Sequence, residues 1–205
     1  MGFYRNQVLP RVIDVTCGSS IARPLRERAC AGLTGEVLEI GFGSGLNVPF
    51  YPPAVTEVSA VEPARLGWRL AAKRVEASPV PVRRAGLDGQ ALPFADHSFD
   101  SALSTWTLCT IPDPAAALGE LLRVLRPGGT FHFLEHGLAP DEDVRRWQRR
   151  FAPLQRRVAG GCDLTREAAD LLTAAGFTLV EVDRFYEPGA PKVMASMTLG
   201  VAVSR

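Results

Sequence analysis

A chain of 205 residues, 46% hydrophobic and 22% charged, suits one folded domain with a sizeable core and excludes a generally disordered chain. Its formal net charge of +1 offers no global attraction to nucleic acid, so none is expected as a partner. The four cysteines, Cys17, Cys30, Cys109 and Cys162, lack CxxC spacing, which points to free thiols and to no metal site. The opening Met1-Gly2-Phe3-Tyr4-Arg5-Asn6 carries no apolar leader run, and no stretch approaches a membrane span, so a cytoplasmic protein is the expectation.

Residues 1–34 read as a helical cap. Val8, Leu9, Val12, Ile13 and Val15 suggest a short amphipathic helix interrupted by Pro10, and Ile21 to Leu33 suggest a second, arginine-rich one. The cap would cross the open end of a sheet. Tyr4 and Arg5 could close over a ligand there, or simply pack and meet solvent. Val37, Leu38 and Ile40 then form a short buried strand running into a turn with Gly41, Gly43 and Gly45, where the absence of Cβ lets backbone approach a ligand. A second apolar run, Val58 to Val61, ends in Glu62, an acid able to accept hydrogen bonds from both hydroxyls of a ribose. Strand, glycine turn, helix, strand and acid in that order mark a nucleoside-bearing cofactor. The dinucleotide fingerprint G-x-G-x-x-G would need a third glycine where Leu46 stands, so this is not the usual pyrophosphate cradle and argues against a nicotinamide oxidoreductase. A tight turn holding no ligand is the plainer alternative.

Ala64 to Ala77 reads as a helix, and Val80, Val82 and Arg83 as a third strand. Asp88-Gly89-Gln90-Ala91-Leu92-Pro93-Phe94 follows, in which Asp88 could cap a loop. Ser101 to Ser104 is a fourth strand that ends at Thr105-Trp106-Thr107-Leu108-Cys109. Ligands of open α/β sheets gather outside the carboxyl ends of strands, so cofactor and acceptor should both meet this loop. Ala115 to Leu125 is a helix, halted by Arg126-Pro127-Gly128-Gly129, and Gly129 to His136 is a fifth strand.

Asp141 to Val158 is amphipathic, with Val144, Trp147, Phe151, Leu154 and Val158 at helical spacing and arginines elsewhere; Pro153 predicts two consecutive helices. Such a basic amphipathic segment could rest on an anionic membrane or pack on its own domain. Asp163 or Thr165 would cap a helix running to Gly176, and Thr178 to Val182 and Met194 to Val203 are the last strands. Of the three histidines, His97 should be exposed and His132 should pack. His136, following Glu135 at the carboxyl end of strand five, could orient or deprotonate an acceptor.

Leu38-Glu39-Ile40-Gly41-x-Gly43-x-Gly45 resembles the first motif of the class I S-adenosylmethionine-dependent methyltransferases. The Asp88 to Phe94 stretch with Ser98-Phe99-Asp100, and Arg123-Val124-Leu125-Arg126-Pro127-Gly128-Gly129, resemble further parts of the same family, with Leu87 where the family has glycine and Gly89 where it has alanine. The resemblance implies a Rossmann-like, doubly wound α/β fold: seven strands, mostly parallel with an antiparallel last strand, and helices on both faces. It implies one domain over 1–205, with a cap (1–34), a cofactor-binding core (36–135) and acceptor-side helices and strands (136–205). It also implies S-adenosylmethionine as cofactor and S-adenosylhomocysteine as product. The glycines would pass beneath the methionine part, Glu62 would hold the ribose, Asp88 would reach the adenine amine, and the next amide would address the ring. Glu39, Gly41, Gly43, Gly45, Asn47, Glu62, Pro63, Asp88, Gly89, Thr105 and Trp106 form the expected cofactor set.

A finer resemblance, over about residues 36 to 167, is to the animal alkyl-thiol S-methyltransferases. It rests on Asn47 with Phe50-Tyr51-Pro52-Pro53, on Thr107-Leu108-Cys109, on Glu135-His136, and on Gly161-Cys162-Asp163-Leu164-Thr165-Arg166-Glu167. Those relatives have an N-terminal hydrophobic anchor that this sequence does not show, so membrane residence is not expected to carry over. A small, rather apolar thiol is therefore the first acceptor to consider, with His136 as catalytic candidate and Tyr4, Cys109, Trp147 and Tyr186 around it. Quinone C- or O-methylation, phospholipid N-methylation and a non-catalytic S-adenosylmethionine-binding regulatory module are the alternatives, and the protein is expected as a monomer or homodimer.

Overall fold

The computed structural model describes residues 3–86 and 88–205. Leu87 and the side chains of Arg5 and Asn6 lie outside the described part. Strands β1 (Gly35–Ile40), β2 (Val55–Val61), β3 (Val82–Gly86), β4 (Phe99–Thr105), β5 (Leu125–His136), β6 (Thr178–Tyr186) and β7 (Ser196–Val203) form one sheet in the order β3-β2-β1-β4-β5-β7-β6. Pairings from β3 through β5 are parallel, and β7 runs antiparallel to both of its neighbours. This is the expected doubly wound fold with an antiparallel last strand.

The central strands are apolar because both of their faces are covered. Along β1, Val37 joins a core with Leu103 and Leu134, packed against Leu25 and Ala29 of α2 (Ala22–Cys30) and Ala71 of α3 (Arg65–Glu76). Leu38 and Ile40 point the other way, to Ala102, Phe131 and Phe133, covered by Leu118 and Leu121 of α4 (Pro114–Val124) and Leu172 of α6 (Ala168–Ala175). The strand order reverses between β1 and β4, so the crevice of the sheet opens at their carboxyl ends.

Several local expectations are corrected. Pro10 does not interrupt a helix. It occupies the first turn of α1 (Leu9–Thr16), directly after a π-helical turn (Tyr4–Val8) whose Tyr4 carbonyl accepts from Leu9 N–H, so the chain stays helical through the proline. The segment after Asp141 is one 17-residue helix, α5 (Glu142–Val158), that passes through Pro153. Pro153 and Arg149, whose carbonyl loses its partner, both lie on the exposed side, where water can take the freed acceptor. The N-cap of α6 is Glu167; Asp163 instead closes the turn before it, accepting from Thr165 N at 3.0 Å and Thr165 Oγ1 at 2.7 Å. The Arg126-Pro127-Gly128-Gly129 breaker ends α4 but lies inside β5, with Arg126 bridging Glu36 at 2.6 Å and Asp100 at 2.5 Å. The helix expected between the glycine turn and β2 is only a single 3-10 turn (Val48–Phe50) that includes Pro49, and a short helix, α7 (Lys192–Ala195), precedes β7.

Candidate active site

The chain leaves β1 into a sharp turn. Gly41 has φ +70°, and a Cβ there would lie 2.0 Å from Thr107 Oγ1, so the turn and the loop after β4 touch with no room for a side chain. Gly43 has φ +59° but is open: an added Cβ would meet nothing nearer than Gly41 O at 3.8 Å. Gly45 backs onto Phe42 and Ala71. Glu62, buried just beyond β2, pins this turn. Its carboxylate accepts from Gly43 N at 2.7 Å and Ala64 N at 2.6 Å, with Pro63 exposed between them. Burial pushes the Glu62 carboxyl above its ordinary range, opposed by those two amides and by Arg84. Ser44 Oγ, in the same turn, is buried with no partner among the described residues. An open backbone cradle, a carboxylate beside it and an orphaned hydroxyl are what a polar ligand at this turn would use.

Behind the turn lies a buried polar network. Asn47 Nδ2 donates to Glu39 Oε1 and to Thr105 Oγ1, both at 3.0 Å, and the Tyr51 hydroxyl donates to Glu39 Oε2. Arg26, only 6% exposed, donates from Nη1 to Asn47 Oδ1 at 2.7 Å and Thr105 Oγ1 at 3.1 Å. Its Nε and Nη2 reach Cys17 O at 3.2 Å, and its guanidinium lies 4.6 Å from the centre of the Trp106 ring. Burial raises Glu39 to about 7, against the hydrogen bonds from Tyr51 and Asn47 and the charge of Arg26. Sequence reading missed Arg26. The signal was its phase: Ala22, Leu25, Arg26, Ala29 and Cys30 form the buried stripe of α2, and an arginine on an apolar helical stripe needs a polar partner.

Trp106 has φ +50°, a left-handed conformation rarely tolerated outside glycine. Backbone bonding to Leu134 O at 2.7 Å and an indole N–H to Met197 Sδ at 3.3 Å hold it. Glu135, buried at the end of β5, accepts from Ser104 Oγ at 2.7 Å, from Thr107 N and Leu108 N at 3.0 Å, and from Cys109 N at 3.4 Å. His136 packs toward Trp106, with ring centres 6.3 Å apart, and its buried Nδ1 has no partner among the described residues. Burial drives its pKa down to about 4, opposed by the Met194 backbone, so the ring is neutral at physiological pH.

The remaining expected residues are spread out. Asp88 Oδ1 accepts from Gln90 N at 2.9 Å and Gln90 Nε2 at 3.2 Å, so it does cap its loop. Gly89 faces Ile40 and Ile111, which brings that loop over the end of β1. The four acceptor-side residues are strung along α5, roughly 25 Å long, rather than gathered at one point. The Tyr186 hydroxyl donates to Asp141 Oδ2 at 2.9 Å at its start. Trp147 is 51% exposed on its outer side, stacked on Phe151 with ring centres 5.5 Å apart. The Tyr4 hydroxyl donates to Val158 O at 2.7 Å at its end, and Cys109 is buried there against Cys162, with the two sulfurs 3.6 Å apart. His97 is exposed and His132 is buried. Among the described residues no cluster of metal-binding side chains assembles.

Residues 38–133 match the sequence family described as a methyltransferase domain. Human thiol S-methyltransferase TMT1A is 32% identical over 179 residues, covering 84% of this chain and 73% of its own length. The chain belongs to the class I S-adenosylmethionine-dependent methyltransferases. Human TMT1B is 34% identical over 165 residues, covering 77% of this chain and 66% of its own length. A phosphatidylethanolamine N-methyltransferase of Cereibacter sphaeroides is 31% identical over 131 residues, covering 61% of this chain and 63% of its own length. The chain thus spans just under two thirds of the length of these last two relatives. Solved structures share the fold at low identity. A chain from the complex of the Haloferax volcanii Trm112 activator with a methyltransferase aligns with TM-score 0.72 at 16% identity, over 98% of this chain and 96% of that one. An S-adenosylmethionine-dependent methyltransferase from Thermotoga maritima aligns with TM-score 0.69 at 22% identity, over 99% and 98%.

Two predictions follow from the turn and the network behind it. Gly41→Ala combines a left-handed φ with overlap on Thr107 and should destabilise by more than about 2 kcal/mol, whereas Gly43→Ala should cost about 1 kcal/mol; urea unfolding measures both, and equal losses would contradict the packing. Because folding raises the Glu39 pKa, the stability its protonated form contributes is complete below its unfolded value and is lost as pH rises through 7. Glu39→Gln should therefore gain stability over the parent between pH 5 and pH 8, by on the order of 3 kcal/mol. A difference that stays constant across those pH values would contradict the burial argument.

Proposed function

We propose that this chain transfers the methyl group of S-adenosylmethionine to a small, rather apolar thiol, releasing S-adenosylhomocysteine. The observation that carries the reading is the open Gly43 turn held against Glu62, in a chain whose relatives include thiol S-methyltransferases. When bound, the cofactor supplies a methyl group activated by a sulfonium. Glu62 would accept hydrogen bonds from the ribose hydroxyls, the free oxygen of Asp88 would meet the adenine amine, and the Gly89 amide would face the ring. Gly41, Gly43 and Gly45 would let backbone run beneath the methionine part, while Glu39, Asn47 and Thr105 brace the turn from behind, Trp106 would border the site and Pro63 fixes the backbone after Glu62.

The acceptor side needs alignment and exclusion of water more than a strong base. An alkyl thiol with a pKa near ~8.5 is already a few per cent thiolate at neutral pH. His136, at about 4, is too weak a base to deprotonate it. Its role is to position the acceptor beside Trp106: the thiol would lose its proton to solvent, and the thiolate sulfur would take the methyl group with S-adenosylhomocysteine as the leaving group. The rate should then rise with pH toward the pKa of the thiol itself, with no inflection near 6.5. His136→Ala should lower turnover about tenfold or more while S-adenosylhomocysteine affinity, by calorimetry, changes little. Unaltered turnover would remove His136 from the reaction.

The same reading gives the acceptor a route. On α5, Trp147, Phe151, Leu154 and Val158 are exposed beside Arg146, Arg149, Arg150, Arg156 and Arg157. No helix among the described residues is long and apolar enough to cross a membrane. An apolar face rimmed by arginines complements an anionic lipid surface, where apolar thiols concentrate; the free thiols of the chain suit a cytoplasmic setting on that surface. The protein should sediment with phosphatidylglycerol vesicles and not with phosphatidylcholine vesicles, and the double substitution Trp147→Ser, Phe151→Ser should abolish this. Equal sedimentation with both lipids would contradict it. Turnover against alkyl thiols, quinols and phosphatidylethanolamine vesicles separates the thiol reading from its relatives: activity confined to quinols or vesicles overturns it, and cofactor binding without turnover favours a regulatory module.

A further inference from the structure

We propose that Arg23 and Arg26 form a carboxylate subsite that takes the α-carboxylate of the methionine part of the cofactor. The assignment rests on reading the glycine turn as the cofactor site. A cavity of about 380 Å³ adjoins the end of that turn, lined by Ser19, Arg23, Arg26, Leu46, Phe50 and Arg74 among others, with no acid in its lining. Of its three guanidinium groups, that of Arg74 is engaged: it lies 3.1 Å from Asp14 and donates to Ser44 O at 2.9 Å. Arg23 has no hydrogen bond or ion pair among the described residues, and its guanidinium sits over the Phe50 ring at 5.5 Å.

Arg26 makes the case stronger. It is a buried cation whose hydrogen bonds all go to neutral acceptors, Asn47 Oδ1, Thr105 Oγ1 and Cys17 O, which leaves one Nη2 N–H without a partner. Burying a charge without a bonded counter-ion is unfavourable. The neighbouring carboxyl, Glu39, is already taken by Asn47 and Tyr51. The two contacts that position Arg26, to Asn47 after the glycine turn and to Thr105 at the end of β4, place it where the methionine part would lie. Leu46 offers that part's methylene chain an apolar wall beside the cationic groups. A carboxylate entering here would pair with Arg23 and complete the donor set of Arg26.

Calorimetric titration of S-adenosylhomocysteine and of its decarboxylated analogue tests this directly. The parent protein should bind the decarboxylated analogue at least tenfold more weakly. Arg23→Gln should weaken S-adenosylhomocysteine about tenfold and leave the analogue within about twofold. Arg26→Lys, which keeps the charge but loses the fork, should show the same selective loss. Equal weakening of both ligands, or equal affinity of the parent for both, would overturn the subsite while leaving the cofactor reading intact. Failure of the parent to bind S-adenosylhomocysteine at all would overturn the cofactor reading and the subsite with it. If Arg23→Gln instead lowered kcat/KM only for carboxyalkyl thiols against alkyl thiols, the cavity would belong to the acceptor and the assignment to the cofactor would be overturned.

Discussion

The crevice depends on carboxylates taken out of water to hold loop amides. Glu135 is the clearest case: one buried side chain accepts from the Ser104 hydroxyl and from three successive backbone N–H groups of the loop after β4. A loop folded back over the ends of a sheet leaves such donors orphaned, and each would be costly to bury unbonded. Glu62 does the same for the glycine turn, through Gly43 N and Ala64 N. Desolvation pushes both carboxyls above their usual range, and the amides and hydroxyl they bind oppose the shift. The two loops are then close enough that Gly41 and Thr107 leave no room for a Cβ between them. The shape of the site is set before any ligand arrives, which is what displacement chemistry that relies on alignment requires.

The helical cap is fastened to this arrangement rather than merely lying over it. Arg26 reaches from α2 to Asn47 and Thr105, one on each side of the crevice, and stacks on Trp106. Through Asn47 the network continues to Glu39 and Tyr51 in the interior. A substitution in this network therefore moves both walls together, and effects at Arg26, Asn47 and Thr105 should not be additive. On the far side, the Tyr4 hydroxyl bonds to the last turn of α5, and Cys109 of the loop after β4 packs on Cys162.

Residues whose role follows from local pattern were legible in the sequence. Val37, Leu38 and Ile40 show a strand covered on both faces, the spacing of Gly41, Gly43 and Gly45 shows a sharp turn, at which all three have left-handed φ, and Glu62 falls just beyond the end of the second strand. What stayed hidden depends on contacts distant in sequence. Arg26 looks like one arginine among many until α2 is phased against its buried stripe. Tyr4 and Val158 meet across 154 positions, and Cys109 and Cys162 across 53. Pro153 misleads because the cost of an unbonded carbonyl depends on whether water can reach it, which only the orientation of α5 decides. Asp163 misleads similarly, since a capping residue satisfies any nearby N–H and here caps a turn instead of a helix.

The central claim is that Glu62 both clips the glycine turn and receives the ribose. Calorimetric titration of S-adenosylhomocysteine into the parent protein and into Glu62→Gln tests it most directly, with thermal unfolding of each protein recorded alongside. A cooperative fold with affinity reduced at least tenfold is the predicted result, since two charge-assisted hydrogen bonds to the ligand are weakened. Undiminished affinity in a folded Glu62→Gln protein would contradict it.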